Sequence, residues 1–223
     1  MEQFWRDLAA QENDLFKPWG WGLLAGYFYQ GALYDSENLF KFIEEQFSEA
    51  TVRRHLNIGL ADILSGQYHS FQDARTRGDF VKILQASLVF PGVFEPVRAF
   101  DSNWVSGSTI YESDVVATVN HCRHLGYADH DIVVDVVLST NPDLAHVDAS
   151  NYNAYRLIAR SIELHQHLVE QSGVVRVRQS HPDVTLRHVI GPSRAMPNKI
   201  VPFQFTDEEV SELIRLGEAD AAH

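Results

Sequence analysis

ASLVFPGVFEPV (Ala86–Val97), followed by NWVSGSTIYESDV (Asn103–Val115), is the stretch on which the fold turns. Its first residues close an apolar helix that opens near Asp79 and carries Phe80, Ile83, Leu84, Ser87 and Leu88 at helical spacing. Pro91-Gly92 stops that helix, because a proline cannot continue the backbone hydrogen bonds. Phe94–Val97 then reads as extended and Trp104-Val105 as a short strand. Ser106-Gly107-Ser108 reads as a loop leading into a helix from about Glu112, with Val115, Val116, Val119 and Cys122 on its apolar face and Gly126 as its C-terminal cap. DIVVDVVL (Asp131–Leu138) is a nearly continuous β-branched run, the pattern of a strand buried on both faces. A helix followed by such a strand, after an earlier strand, predicts a layered α/β fold.

Working outward, Phe4, Trp5, Leu8 and Ala9 make one face of an N-terminal helix, and Lys17-Pro18-Trp19-Gly20-Trp21-Gly22 breaks it. Leu23–Tyr29 is a short helix or a buried turn. Asp35 or Ser36 is placed to cap a helix whose Leu39, Phe40, Ile43 and Phe47 face the core. His55–Ile63 and Tyr68–Phe71 predict a hairpin turned by Ser65-Gly66-Gln67. Beyond the buried run, Asn151–Gln171 is a long amphipathic helix with Tyr155, Ile158, Ile162, His165 and Val169 on one face. Thr185–Ile190 is a last strand, and Thr206-Asp207-Glu208-Glu209 is a capping box opening a final helix.

The chain has 223 residues, which suits one domain over 1–223, with an N-terminal helix and aromatic segment over 1–30 and a C-terminal helix over 206–223. A net charge of −12 repels phosphate backbones, so nucleic acid is a disfavoured partner. One cysteine, Cys122, excludes an internal disulfide and a multi-cysteine metal site. No basic-then-apolar leader opens the chain and no run reaches a membrane span, so an intracellular protein without a transmembrane segment is expected.

Candidate sites outside the central stretch are weak. His121 and His124 share a helix face, but Asp114, Asp129 and His130 complete no known metal spacing. His165 and His167 diverge on their helix, and Ser87 and Ser193 lack the strand–turn–helix setting of an activated serine. Trp19, Trp21, Phe28 and Tyr29 read as core or interface rather than a ligand platform. Neither a cofactor nor a metal is expected.

The central stretch resembles the C-terminal half of the patatin-like phospholipase domain, in which a helix with "AS…PG.FPPV" precedes a strand ending in Asp-Gly-Gly or Asp-Gly-Ala. GALYDSENLFKFIEEQF (Gly31–Phe47), HLNIGLADILSGQYHSF (His55–Phe71) and DHDIVVDVVLS (Asp129–Ser139) are similar, in order, to further segments of that family. TLRHVIGPSRAMPNKIVPFQF (Thr185–Phe205), with the acidic-capped helix after it, is similar to the ending of some members. The resemblance implies a partial three-layer α/β/α fold lacking the N-terminal nucleophile-elbow strands, with Met1 just past the family's nucleophile helix.

It also places Ser106, Gly107 and Ser108 on the catalytic Asp-Gly motif, with a serine where the family has its carboxylate. No G-x-S-x-G occurs, so neither the activated serine nor its oxyanion donors are present. A serine hydroxyl cannot act as a carboxylate base near neutral pH. The implied protein is a catalytically incompetent, structural or regulatory module, completed beside Ile58 or Val134 by a partner chain or by a preceding polypeptide. The alternatives are a lipid acyl hydrolase whose nucleophile lies outside this chain and a lipid-binding module without turnover.

Overall fold

The predicted hairpin seeds the largest sheet of the computed structural model, which describes residues 2–20, 22–72, 77–111, 114–139, 141, 144, 146–194 and 206–222. The chain divides into two compact units, one formed by Met1–Thr109 with Asn198–Ile214 and the other by Ile110–Pro197 with Arg215–His223. Both mix helices and strands, so the class is α/β. Trp21, Glu112 and the segment 195–205 lie outside the described residues, as does the side chain of Tyr155.

In the first unit, α1 (Glu2–Ala10) buries Leu8 and Ala9, and its Phe4 ring lies 5.7 Å from Phe42 and 5.6 Å from Phe47. α2 (Glu12–Leu15) follows, and β1 (Lys17–Pro18) pairs with β2 (Tyr34–Asp35). Between them α3 (Leu23–Tyr29) leaves Tyr27, Phe28 and Tyr29 exposed. α4 (Glu37–Phe47) buries Leu39, Phe42 and Ile43. Its first turn is capped by Asp35, whose Oδ1 accepts from the Glu37 N–H at 2.9 Å, while Ser36 Oγ accepts from the Glu95 N–H instead.

β3 (Asn57–Asp62) and β4 (Tyr68–Gln72) form the hairpin, and Gly66 at its turn has φ +71°, a conformation open to glycine at little cost. α5 (Arg77–Ser87) packs on β3 and buries Val81, Ile83 and Ala86, whereas Leu88, predicted inward, is exposed. β5 (Val97–Ala99) and β6 (Ser102–Ser106) make a second hairpin through Phe100 and Asp101, both at positive φ. The antiparallel order is β4-β3-β6-β5.

The second unit begins with α6 (Val115–His124), three residues later than predicted, because Asp114 is the cap and its Oδ1 accepts from the Ala117 N–H at 3.0 Å. It ends in a Schellman motif: Gly126 N–H donates to Arg123 O and Tyr127 N–H to Cys122 O, with Gly126 at φ +96°. β7 (Val133–Val137), α7 (Ala154–Ser180) and β8 (Thr185–Ile190) form a β-α-β unit whose two strands pair in parallel. Its core joins Val115, Val119, Ile132, Val136, Leu138, Val174, Val177 and Val184.

Two expectations fail here. β7 is not buried on both faces: Val134 and Val136 face the core, but Val133 is 54% and Val137 73% exposed. α7 turns its predicted apolar face inward only in part: Ile162 and Val169 are half-buried, whereas Ile158 and His165 are exposed. Val174 and Val177 near its C-terminal end join the core and set the rotation of the whole rod. Finally α8 (Asp207–Asp220) opens on the predicted capping box, Thr206 Oγ1 accepting from the Glu209 N–H and Glu209 Oε2 from the Thr206 N–H, both at 3.2 Å.

Candidate functional site

Ser106, Gly107 and Ser108 sit where β6 ends and a 3₁₀ turn, Gly107–Thr109, begins. β6 is an inner strand, hydrogen-bonded to β3 on one side and β5 on the other, so the loop is held from both flanks. The Ser106 N–H donates to Val89 O at 2.9 Å, which ties the loop to the end of the helix that defines the central stretch. The Ser106 and Ser108 hydroxyls lie 2.9 Å apart, and the Ser108 N–H donates to Ser106 Oγ at 3.3 Å. Ser106 thus caps the 3₁₀ turn, a local use of a hydroxyl that competes with any chemical role.

Gly107 is not there for backbone freedom, because its φ is not positive. A Cβ on it would lie 2.4 Å from Gly59 O and 3.0 Å from Tyr68 Cε2. Gly59, across on β3, is equally confined: a Cβ there would lie 2.0 Å from the Tyr68 hydroxyl. The two glycines let the backbones of adjacent strands approach under the Tyr68 ring. Packing, not turn geometry, demands glycine at this loop.

The carboxylate that does organise this sheet is Asp62, at the end of β3 and in register with Trp104. Its Oδ1 accepts from Ser102 Oγ at 2.5 Å and from the Leu64 N–H at 2.9 Å, and its Oδ2 accepts from Ser65 Oγ at 2.6 Å. The hydroxyl of Ser102, then that of Ser65, hold its pKa down at about 2. Asp62 therefore fastens the hairpin turn to β6. Reading D-x-x-S-G (Asp62–Gly66) as an Asp-anchored turn was the signal that could have found it.

A second polar cluster lies in the other unit. Arg123 Nε donates to Asp129 Oδ1 at 3.1 Å, and the buried His181 ring meets Asp129 Oδ2 at 3.4 Å. An open cleft of about 460 Å³ is lined by Arg123, Gly126, Tyr127, Ala128, Asp129, His130 and Asp183. Asp129 and His181 are 52 residues apart, and no local spacing announces them. The cluster holds the end of α6 to the end of α7.

The remaining candidates are dispersed. Asp101 lies in the β5–β6 turn and Asp114 caps α6. Ser87 Oγ donates to Leu84 O within its own helix, and the Ser193 N–H donates to Asp220 Oδ2. Trp19 Nε1 donates to Ala32 O at 2.9 Å, whereas Phe28 and Tyr29 are exposed, so this aromatic segment is not one cluster. Cys122 packs against the core of the second unit. Among the described residues no three His, Cys, Asp or Glu side chains stand close enough to hold a metal ion. No helix among them is long and apolar enough to cross a membrane.

Chemically, the loop presents two hydroxyls and, among the described residues, neither a carboxylate nor an imidazole hydrogen-bonded to them. Such a pair can donate and accept hydrogen bonds but cannot take a proton at neutral pH. Comparison with family models and with curated proteins finds no match for this chain.

Proposed function

We propose that this chain is a non-catalytic relative of the C-terminal portion of a three-layer patatin-like domain, and that it serves as a structural or regulatory module whose parallel sheet is completed by a strand from another polypeptide. One observation carries the reading: among the described residues β7 is the most apolar strand and has a single strand neighbour. Leu138 N–H donates to β8, and Ile132 O accepts from it. By the alternation of peptide groups along a strand, the N–H groups of Val133, Asp135 and Val137 point to the opposite edge, where no strand pairs with them among the described residues. The same three positions are exposed on the outer face. The outer face is a separate feature: parallel sheets are ordinarily covered on both faces, so the exposed valines call for a covering layer, while the edge calls for a strand.

The chemistry of Ser106 supports the non-catalytic half of the reading. Its hydroxyl is spent on Ser108 and the 3₁₀ turn, where a catalytic base is required.

Two measurements test the two halves. Hydrogen exchange on the purified chain is expected to show fast-exchanging amides at Val133, Asp135 and Val137 beside slow ones in β3. A monomer that unfolds in one cooperative step, with β7 protected as well as β3, overturns the need for an added strand. For the chemistry, short-chain ester hydrolysis is expected to be absent in the wild type. Turnover by the wild type that Ser106→Ala leaves unchanged overturns the assignment of this loop, and any wild-type turnover overturns the non-catalytic reading.

A further inference from the structure

Three turns supply the lining of the cleft in the second unit, and each is tied to the others. The glycine cap of α6 closes with the Gly126 N–H on Arg123 O at 2.9 Å. The 3₁₀ turn Asp129–Asp131 closes with the Asp131 N–H on Ala128 O, and the turn before β8 with the Val184 N–H on His181 O. Arg123 joins the first turn to the second through Asp129, at 3.1 Å. His181 joins the second to the third through the same carboxylate, and the Thr185 N–H adds a bond to Ile132 O at 3.0 Å. Ile132 and Val184 anchor these turns in the core. The cleft is therefore formed before any ligand arrives, as small-molecule sites ordinarily are.

Its charges do not balance. Arg123 and Asp129 neutralise each other. His130 lies 3.6 Å from Asp131, so a proton on it is matched by that carboxylate. Asp183 is left over, exposed and with no hydrogen bond or ion pair to any described residue. Two further features attract positive charge. The cleft adjoins the C-terminal end of α6, where the aligned peptide dipoles leave partial negative charge. Tyr127, 58% exposed, adds an aromatic ring to the lining, and the face of such a ring is negative.

The donor set and the size choose among cations. A metal ion needs several ligands, and a single uncommitted carboxylate supplies too few. The cleft holds about 460 Å³, room for an ammonium group and a carbon body beyond it. Gly126 and Ala128 give that body an uncharged surface, and no atom lies within 4 Å of where a Gly126 side chain would begin.

We propose that this cleft binds a small organic amine, its ammonium group against Asp183 and the Tyr127 ring and its carbon body over Gly126 and Ala128. The site lies wholly within the second unit and depends neither on the open edge of β7 nor on the reading of Ser106.

The test is a nuclear magnetic resonance titration of the isotope-labelled full chain with butylammonium chloride, sodium butyrate and calcium chloride at matched ionic strength. Butylammonium is expected to shift the amides of Gly126, Tyr127, Ala128 and Asp183 with one saturating, millimolar dissociation constant. Butyrate and calcium are expected to leave those amides unmoved. Asp183→Asn is expected to raise the constant about fivefold, the upper range of an exposed ion pair. Tyr127→Leu is expected to raise it about threefold, as for an exposed contact between a cation and a ring. Both residues are exposed, so the spectrum of each variant should otherwise match that of the wild type. Butyrate or calcium saturating the same amides as tightly as the amine overturns the proposal. So does a constant indifferent to Asp183→Asn, or the absence of a saturable shift at decimolar amine.

Discussion

β6 and β7 are both five-residue strands that carry apolar residues, yet they reach opposite ends. β6 is flanked by two strands and buries Trp104 and Val105. β7 has one flanking strand among the described residues and leaves Val133 and Val137 exposed. The difference lies in how each finds its neighbours. β5 reaches β6 through a two-residue turn, so that pairing closes a very small loop. The partner of β7 arrives only after the whole of α7, and its other edge is unserved among the described residues. Apolar side chains state how much surface a strand should bury; the neighbours decide whether it does.

The contrast can be broken at its supports. The largest effect is expected in the second unit from Glu170→Ala, which removes the acceptor of the Ser139 N–H and opens a cavity beside Val174. A loss of about 3 kcal/mol should appear as an earlier urea transition in far-UV circular dichroism. In the first unit, Gly107→Ala forces a Cβ against Gly59 O and is expected to cost about 2 kcal/mol. Tryptophan fluorescence reads this directly, because all four tryptophans lie between residues 1 and 109. Gly59→Ala should cost less, since the atom in its way is the end of the movable Tyr68 side chain. A larger loss from Gly59→Ala would show that the Tyr68 ring, not the backbone contact, sets the strand spacing.

Asp62 sharpens the comparison through pH. Its folded pKa, about 2, is below the ordinary 3.8. A depressed carboxylate stabilises the fold when it is ionised in both states, so its contribution is complete above the ordinary value and fades as pH falls toward 2. Acid titration followed by tryptophan fluorescence should show this loss in the wild type and a flatter curve in Asp62→Asn. Identical curves would mean that the serine hydrogen bonds do not hold the hairpin. The smallest effect is expected at the β5–β6 turn, where Phe100 and Asp101 both have left-handed backbone. Asp101→Gly relieves part of that strain and is expected to gain about 0.5 kcal/mol, seen as a higher midpoint in urea.

Much of the local structure was legible. The β3–β4 hairpin with Gly66, the Gly126 cap and the Thr206–Glu209 box each depend on residues within a few positions of one another, and each forms as read. The boundary of α6 moved because Asp114, read as lying inside the helix, is its cap, which only the geometry of the turn reveals. The candidate loop was legible in position but not in cause. Ser106-Gly107-Ser108 does close β6, while the need for Gly107 comes from Gly59, a residue on another strand. The Asp129–His181 contact was invisible for the same reason, its partners being brought together by the full length of α7.

By itself the sequence determined the class of elements, the caps and turns that bound them, and the absence of a carboxylate from Ser106-Gly107-Ser108. These follow from side-chain chemistry acting over one or two turns of backbone. Only the tertiary structure decided which face of α7 is buried and which edge of β7 stays open. A helix rotates, and a strand acquires neighbours, according to the few distant contacts that exclude most water. For α7 those contacts are Val174 and Val177, not the longer apolar stripe left outside.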